Sequence, residues 1–174
     1  TQGAVDLAIF AVDPEQIIFN DTAVGTTTSR QIIIENAAGE GSTDLLINSV
    51  NVQGPSDASL DWCGQPGCNA FELQGFEPGT RIAPGDFVTI NVVYHAFGTA
   101  AIDGALVFNT NAQQTNLGDN TDGQGRVDLI VPELTGRLAV TPDPINFGRV
   151  PVETPTDPCI EAQLQNIGSA TIEI

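Results

Sequence analysis

Apolar and polar residues alternate with a period of two along much of this chain. Phe87 to Tyr94 shows it best: Val88, Ile90, Val92 and Tyr94 fall on one face, with Thr89, Asn91 and His95 on the other. That is the spacing of a strand with one face in a core. Gln31 to Glu35 is a short β-branched run, and Leu45 to Val52 follows a turn rich in glycine at Gly39 and Gly41. Ala105 to Phe108 and Val127 to Val131 complete the set, each bounded by Gly, Asn or Asp. The intervals hold no helical periodicity long enough for a crossover helix. The pattern predicts an all-β chain of seven or so short strands, arranged as an antiparallel sandwich rather than a parallel sheet.

The pattern also repeats. Phe10-Ala11-Val12-Asp13-Pro14 with Ile17 and Phe19 returns 128 residues later as Leu138-Ala139-Val140-Thr141-Pro142 with Ile145 and Phe147. Val24 and Thr26 map onto Val152 and Thr154 at the same offset. After a slip of two, Ile32 to Asn36 matches Ala162 to Asn166, and Gly39 falls near Gly168. A fixed period of domain size marks a tandem array. The expected organisation is an arm or junction at 1–9, a complete sandwich domain at 10–137, and an incomplete second repeat at 138–174. The start, Thr1-Gln2-Gly3-Ala4, carries no basic n-region and reads as a mature product or a fragment.

These residues carry a family resemblance. Pro14-x-x-Ile17-x-Phe19, Val24-Gly25 and Ile32 to Asn36 resemble the opening of the immunoglobulin-like ASH domains. Those domains are similar in turn to major sperm protein and to tandem bacterial surface domains. The second copy shows the opening as Pro144-Ile145-Asn146-Phe147-Gly148 and then Leu164-Gln165-Asn166-Ile167-Gly168. Ile82-Ala83-Pro84-Gly85, Val92-Val93-Tyr94 and Gly104 to Asn111 keep the family order, and Leu134-Thr135-Gly136 closes the domain. The resemblance implies an immunoglobulin-like sandwich used as a structural or interaction module. Two departures stand out: Ala96 where the family carries proline, and long loops around Cys63 to Cys68 and from Ala112 to Arg126. Most shared positions read as scaffold. Pro14 and Pro142 suit the entry to an edge strand. Pro84-Gly85 suits a type II turn, and Asn36 and Asn166 suit side-chain bonds to a turn.

Charge narrows the partners. Against 22 acidic residues stand 5 basic ones, all Arg, for a net charge of −17. Such a field repels nucleic acid and anionic lipid. No stretch is apolar enough for a membrane-spanning helix. Without lysine the chain forms no Lys–Asn isopeptide staple, so packing and disulfides carry its rigidity.

Candidate chemistry is sparse. Cys63-Gly64-Gln65-Pro66-Gly67-Cys68 places two thiols across a Pro-Gly turn, within disulfide reach. A local disulfide is favoured over free thiols, and zinc lacks further ligands nearby. The disulfide would mean maturation in an oxidising compartment, leaving Cys159 odd. His95 has no accompanying nucleophile motif and reads as a solvated or locally bonded side chain. In the loop Asn116 to Gly125, Asp119, Asn120 and Asp122 offer oxygen donors for Ca²⁺, although EF-hand spacing fails and Asp122-Gly123 is an ordinary turn signal. Trp62 either stacks on a ligand or partner, or caps the core end over the disulfide; the cap is the favoured reading.

The expected function is therefore non-enzymatic: a structural module of an extracellular or cell-surface, bacterial tandem-repeat protein, serving as stalk, filament or adhesive scaffold. No cofactor is expected beyond Ca²⁺ at the loop just named. Partners would be proteins, namely further copies of the chain or adjacent repeats. Ile160, Leu164, Ile172 and Ile174 of the incomplete repeat would then be truncation remnants, or strands donated head-to-tail to a neighbour. Two rivals stand beside this: a glycan- or Ca²⁺-binding module using Trp62 and the Asp119–Asp122 loop, and an intracellular interaction domain of the ciliary or centrosomal kind.

Overall fold

The computed structural model describes residues 7–20, 22–115, 123–136, 138–141, 161–166 and 172–173. Its strands are β1 (Ile9–Asp13), β2 (Gln16–Ile18), β3 (Thr27–Asn36), β4 (Leu45–Gln53), β5 (Phe71–Gln74), β6 (Thr80–Ile82), β7 (Phe87–His95), β8 (Ile102–Thr110), β9 (Gln114–Thr115), β10 (Gln124–Val131), β11 (Leu138–Thr141) and β12 (Gln163–Asn166). The described residues contain no helix. The chain divides into two compact units, Thr1–Glu133 and Leu134–Ile174.

In the first unit, two five-stranded sheets run in the orders β5-β7-β3-β1-β9 and β2-β10-β8-β4-β6. This is the all-β sandwich that the alternation predicts, immunoglobulin-like as the resemblance implies. Two pairings depart from a wholly antiparallel plan: β1 with β9 and β2 with β10 are parallel. The cause is a switch of sheet. Between Asp13 and Gln16 the chain passes from one sheet to the other, so β1 lies in the first and β2 becomes an edge of the second; the Asp13–Pro14 bond between them is cis. Proline lacks a donor and suits that entry.

The inner faces interlock by size. Ile90, Val92 and Tyr94 are buried as their alternation requires, and Phe10, Phe19, Phe71 and Phe108 are at most 1% exposed. Phe10 meets Phe108 across the sheets at 5.3 Å between ring centroids; Phe19, Phe71 and Tyr94 form a second cluster at 5.4 to 5.8 Å. Gly104 is needed beneath that second cluster, because a Cβ there would meet the Phe71 ring and the Gln53 carbonyl.

At one end, Asn36 binds the sheets together through its side chain. Its Oδ1 accepts from the N–H groups of Ile9 and Ala38, and its Nδ2 donates to the carbonyls of Thr43 and Ile82. Ile82 belongs to β6 of the facing sheet. The Asn36 backbone adds bonds to Gly85 and Asp86, across a turn in which Gly85 has φ +80° and Asp86 N donates to Ala83 O. Those are the marks of the type II turn expected of Pro84-Gly85.

The second unit holds β11 paired with β12. Leu138, Ala139, Val140 and Thr141 face Asn166, Gln165, Leu164 and Gln163. In the first unit Phe10, Ala11, Val12 and Asp13 face Asn36, Glu35, Ile34 and Ile33. The two registers correspond residue for residue under the sequence repeat, and Asn166 occupies the place of Asn36.

Asn36→Ala should destabilise the first unit by about 3 kcal/mol, since it strands several buried backbone groups at once; the urea midpoint measures this. Tyr94, the single tyrosine, is 1% exposed, and its hydroxyl has no hydrogen-bond partner among the described residues. Burial raises its pKa above the ordinary value. As pH passes about 10 the unfolded chain therefore loses this proton first, and stability falls. Tyr94→Phe should flatten that alkaline decline between pH 9 and 11 (roughly one unit either side of the ordinary value) and cost little near neutrality. An unchanged slope in the variant would assign the decline to another group.

Candidate functional site

The loop joining β4 to β5 is held by its own backbone. Leu60 N donates to Asp57 O, while Leu60 O accepts from Gly67 N and Cys68 N. Asp57 N donates to Cys68 O, and Ala70 N to Pro55 O. Asp57 Oδ1 accepts from the Ser59 hydroxyl and, at 2.8 Å, from Ser59 N; both bonds favour the carboxylate and lower its pKa. Cys63 and Cys68 close the tip as a disulfide with Cα atoms 5.9 Å apart. Closing so short a loop removes roughly 2 kcal/mol of chain entropy from the unfolded state.

These constraints set Trp62. Its indole Nε1–H donates to Asn69 O at 2.8 Å. Asn69 is itself anchored, its Nδ2 donating to Val52 O and Gly54 O and its Oδ1 accepting from Phe71 N. The indole stacks on the His95 ring at 4.9 Å with 6° between planes. Trp62 thus covers the last side chain of β7 rather than the apolar core. One face of the indole is spent on His95, and the residue remains 37% exposed.

His95 lies beneath it, its side chain 13% exposed, with Nε2 3.0 Å from Glu72 Oε2. Alternation placed His95 on the outward face, and it is there, but the loop folds over that face and dries it. A groove of about 430 Å³ opens alongside, between Val24 to Thr27, Ser59 and Leu60, and His95 to Phe97. Its floor depends on Ala96. Ala96 N donates to Thr26 O and its carbonyl accepts from Gly25 N, so the proline usual at this position would forfeit a bond that extends the β3–β7 ladder.

Other residues singled out from sequence lie apart. Asp119, Asn120 and Asp122, together with Cys159, Ile160 and Ile174, fall outside the described residues. Leu164 lies in β12 at 50% exposure, and Ile172 is half-buried. Among the described residues no three His, Cys, Asp or Glu side chains converge as metal ligands, and no helix is long and apolar enough to cross a membrane. Sequence reasoning missed Leu60, Asn69, Glu72 and Phe97. Glu72 meets His95 only through the β5–β7 register, in which Phe71 faces Tyr94.

No protein-family model matches the chain, and no curated protein does. Solved structures do. The human CEP192 ASH/PapD-like domain (PapD-like domain 7) is similar at 13% identity and a TM-score of 0.48, over 72% of this chain and 85% of that one. WR4, a C. elegans MSP family member, is similar at 9% identity and a TM-score of 0.41, over 71% and 96%. These are the two families that the sequence motifs resemble. Vibrio cholerae VesB protease aligns at 12% identity and a TM-score of 0.33, over 74% of this chain but only 30% of its own length.

Because the chain has a single tryptophan, its fluorescence reports this loop alone. Cys63→Ser with Cys68→Ser should shift the emission towards that of a solvated indole while the far-ultraviolet circular dichroism stays unchanged. Emission identical to the parent would mean that Trp62 is held without the disulfide.

Proposed function

We propose that the chain is a non-enzymatic structural module of an extracellular or cell-surface tandem-repeat protein, working as stalk, filament or adhesive scaffold through contacts with other proteins. The observation that carries this reading is the repeated register: β11 and β12 pair as β1 and β3 do, with an asparagine at the same place. On this reading residues 10–137 form the complete repeat and 138–174 open a second one.

Burial differs between the two registers. Ile34 in β3 is fully buried, whereas its counterpart Leu164 is half exposed. A two-stranded ribbon is marginal in water until further strands and a facing sheet cover it. The cover is either the remainder of the repeat or a sheet of a neighbouring subunit receiving the ribbon; the second arrangement propagates head-to-tail. The edge strands β5, β2 and β6 of the first unit run only four, three and three residues. Edges that short discourage indiscriminate pairing. The Cys63–Cys68 disulfide and the acidity suit an exterior setting.

Electron microscopy of native material, with intact mass on the same sample, tests the proposal. Rods or filaments with evenly spaced beads are expected, with Cys63 and Cys68 oxidised on isolation. Compact single-domain particles with both thiols reduced would overturn it and favour an intracellular interaction domain.

A further inference from the structure

The outward face of the sheet that holds β1, β3 and β7 joins apolar and acidic side chains in one place. Phe10, Val12, Ile32 and Ile34 point into the core, so Ala11, Asp13, Ile33 and Glu35 point away from it. In the ladder Ala11 faces Glu35 and Asp13 faces Ile33. The four side chains form a square, with the apolar pair on one diagonal and the carboxylates on the other. They line a pocket of about 210 Å³. Diagonal neighbours on adjacent strands lie roughly 7 Å apart, so one long side chain can reach both carboxylates. Phe87 of β7 stands opposite Glu35 on the same face at 63% exposure, and Ile33 is 42% exposed.

Two observations set this square apart from ordinary acidic surface. Among the described residues the ion pairs are His95–Glu72 and Arg126–Asp128, so Asp13 and Glu35 lack a cation. The pocket on the facing sheet that contains Asp103 and Asp128, by contrast, already holds Arg126. The second unit then acts as an internal control. Ala11, Val12 and Asn36 recur there as Ala139, Val140 and Asn166, whereas Asp13, Ile33 and Glu35 give way to Thr141, Gln163 and Gln165. The register therefore forms without this chemistry, which belongs to the first unit's surface and not to its scaffold.

We propose that this square docks an extended segment of another protein, one that presents an arginine with an apolar residue two positions away. This rests on reading the chain as a module that contacts other proteins, and adds the place and the chemistry. The arginine stem lies across Ala11 and Ile33, while its planar, donor-rich guanidinium bonds to both Asp13 and Glu35. An apolar side chain about 7 Å further on, the two-residue spacing of an extended chain, meets Phe87. The contact supplies both carboxylates with a cation and covers the two exposed apolar side chains together. The net charge of −17 speeds the encounter.

The test titrates the whole chain into fluorescein-labelled Gly-Ser-Arg-Ser-Leu-Ser-Gly, read by anisotropy, beside the same peptide with neutral citrulline for arginine. Saturable binding of the arginine peptide is expected, and citrulline should weaken it about fivefold or more. Asp13→Asn with Glu35→Gln should weaken it as much, and Phe87→Ser about threefold. Asp61→Asn with Asp103→Asn removes the same two charges elsewhere and should leave binding within about twofold of the parent. Melting temperatures confirm that each variant is folded. Equal losses in the two double variants would overturn the site, reducing the effect to general acidity. So would binding that tolerates citrulline, and so would absence of saturable binding. Self-association of the chain that Phe87→Ser abolishes would overturn it too, by giving the face to a second copy. None of these results bears on bead spacing in native material, so the docking site can fail while the tandem-repeat reading stands.

Discussion

The first unit depends on one amide. A sandwich whose sheets meet only through side chains leaves unpaired backbone groups where strands end, and burying such groups is costly. Asn36 meets that constraint where β3 ends. Its side chain satisfies two donors and two acceptors from three segments, and its backbone takes up the Pro84-Gly85 turn. The residue is fully buried yet leaves no part of its amide unused. Apolar packing of Phe10 against Phe108 can then proceed beside it without an orphaned polar group.

The same device recurs wherever a loop must be fastened to a strand. Asn69 anchors the disulfide loop, and Asn111 joins the end of β8 to the start of β4 through Leu46 N and Asp44 O. The β3–β7 ladder spans nine residue pairs between the Asn36 turn and the Trp62 groove. At about 3.3 Å per residue the two lie nearly 30 Å apart. One end of the sandwich is thus given to closure. The other presents a rigid aromatic surface whose positioning costs the fold little.

Much of this was legible from the chain. Alternation gave the strand faces and Pro84-Gly85 gave the turn, while the repeat, with its slip of two, pairs the same positions that β11 and β12 pair in register. What escaped was set by long-range register. Asn69 and Asn111 look like ordinary turn residues until the strands they reach are adjacent. The change of sheet at Pro14 follows from which strand β2 meets, not from its own three residues. Trp62 was expected to cap the core. It lies on His95 instead: the disulfide was readable from its Pro-Gly turn, but the indole's bond to Asn69 O and its stack on His95 depend on which strands lie side by side. The Asp119–Asp122 loop remains a sequence proposal, lying outside the described residues.

Site-resolved amide hydrogen exchange of the intact chain tests the central role of Asn36 most directly. The Ile9 and Ala38 N–H groups both donate to its side-chain oxygen. If that amide closes the sandwich, both should exchange as slowly as central β3 amides such as Ile34, opening only with the unit as a whole. Exchange of Ile9 and Ala38 at loop rates, with β3 still protected, would contradict the account.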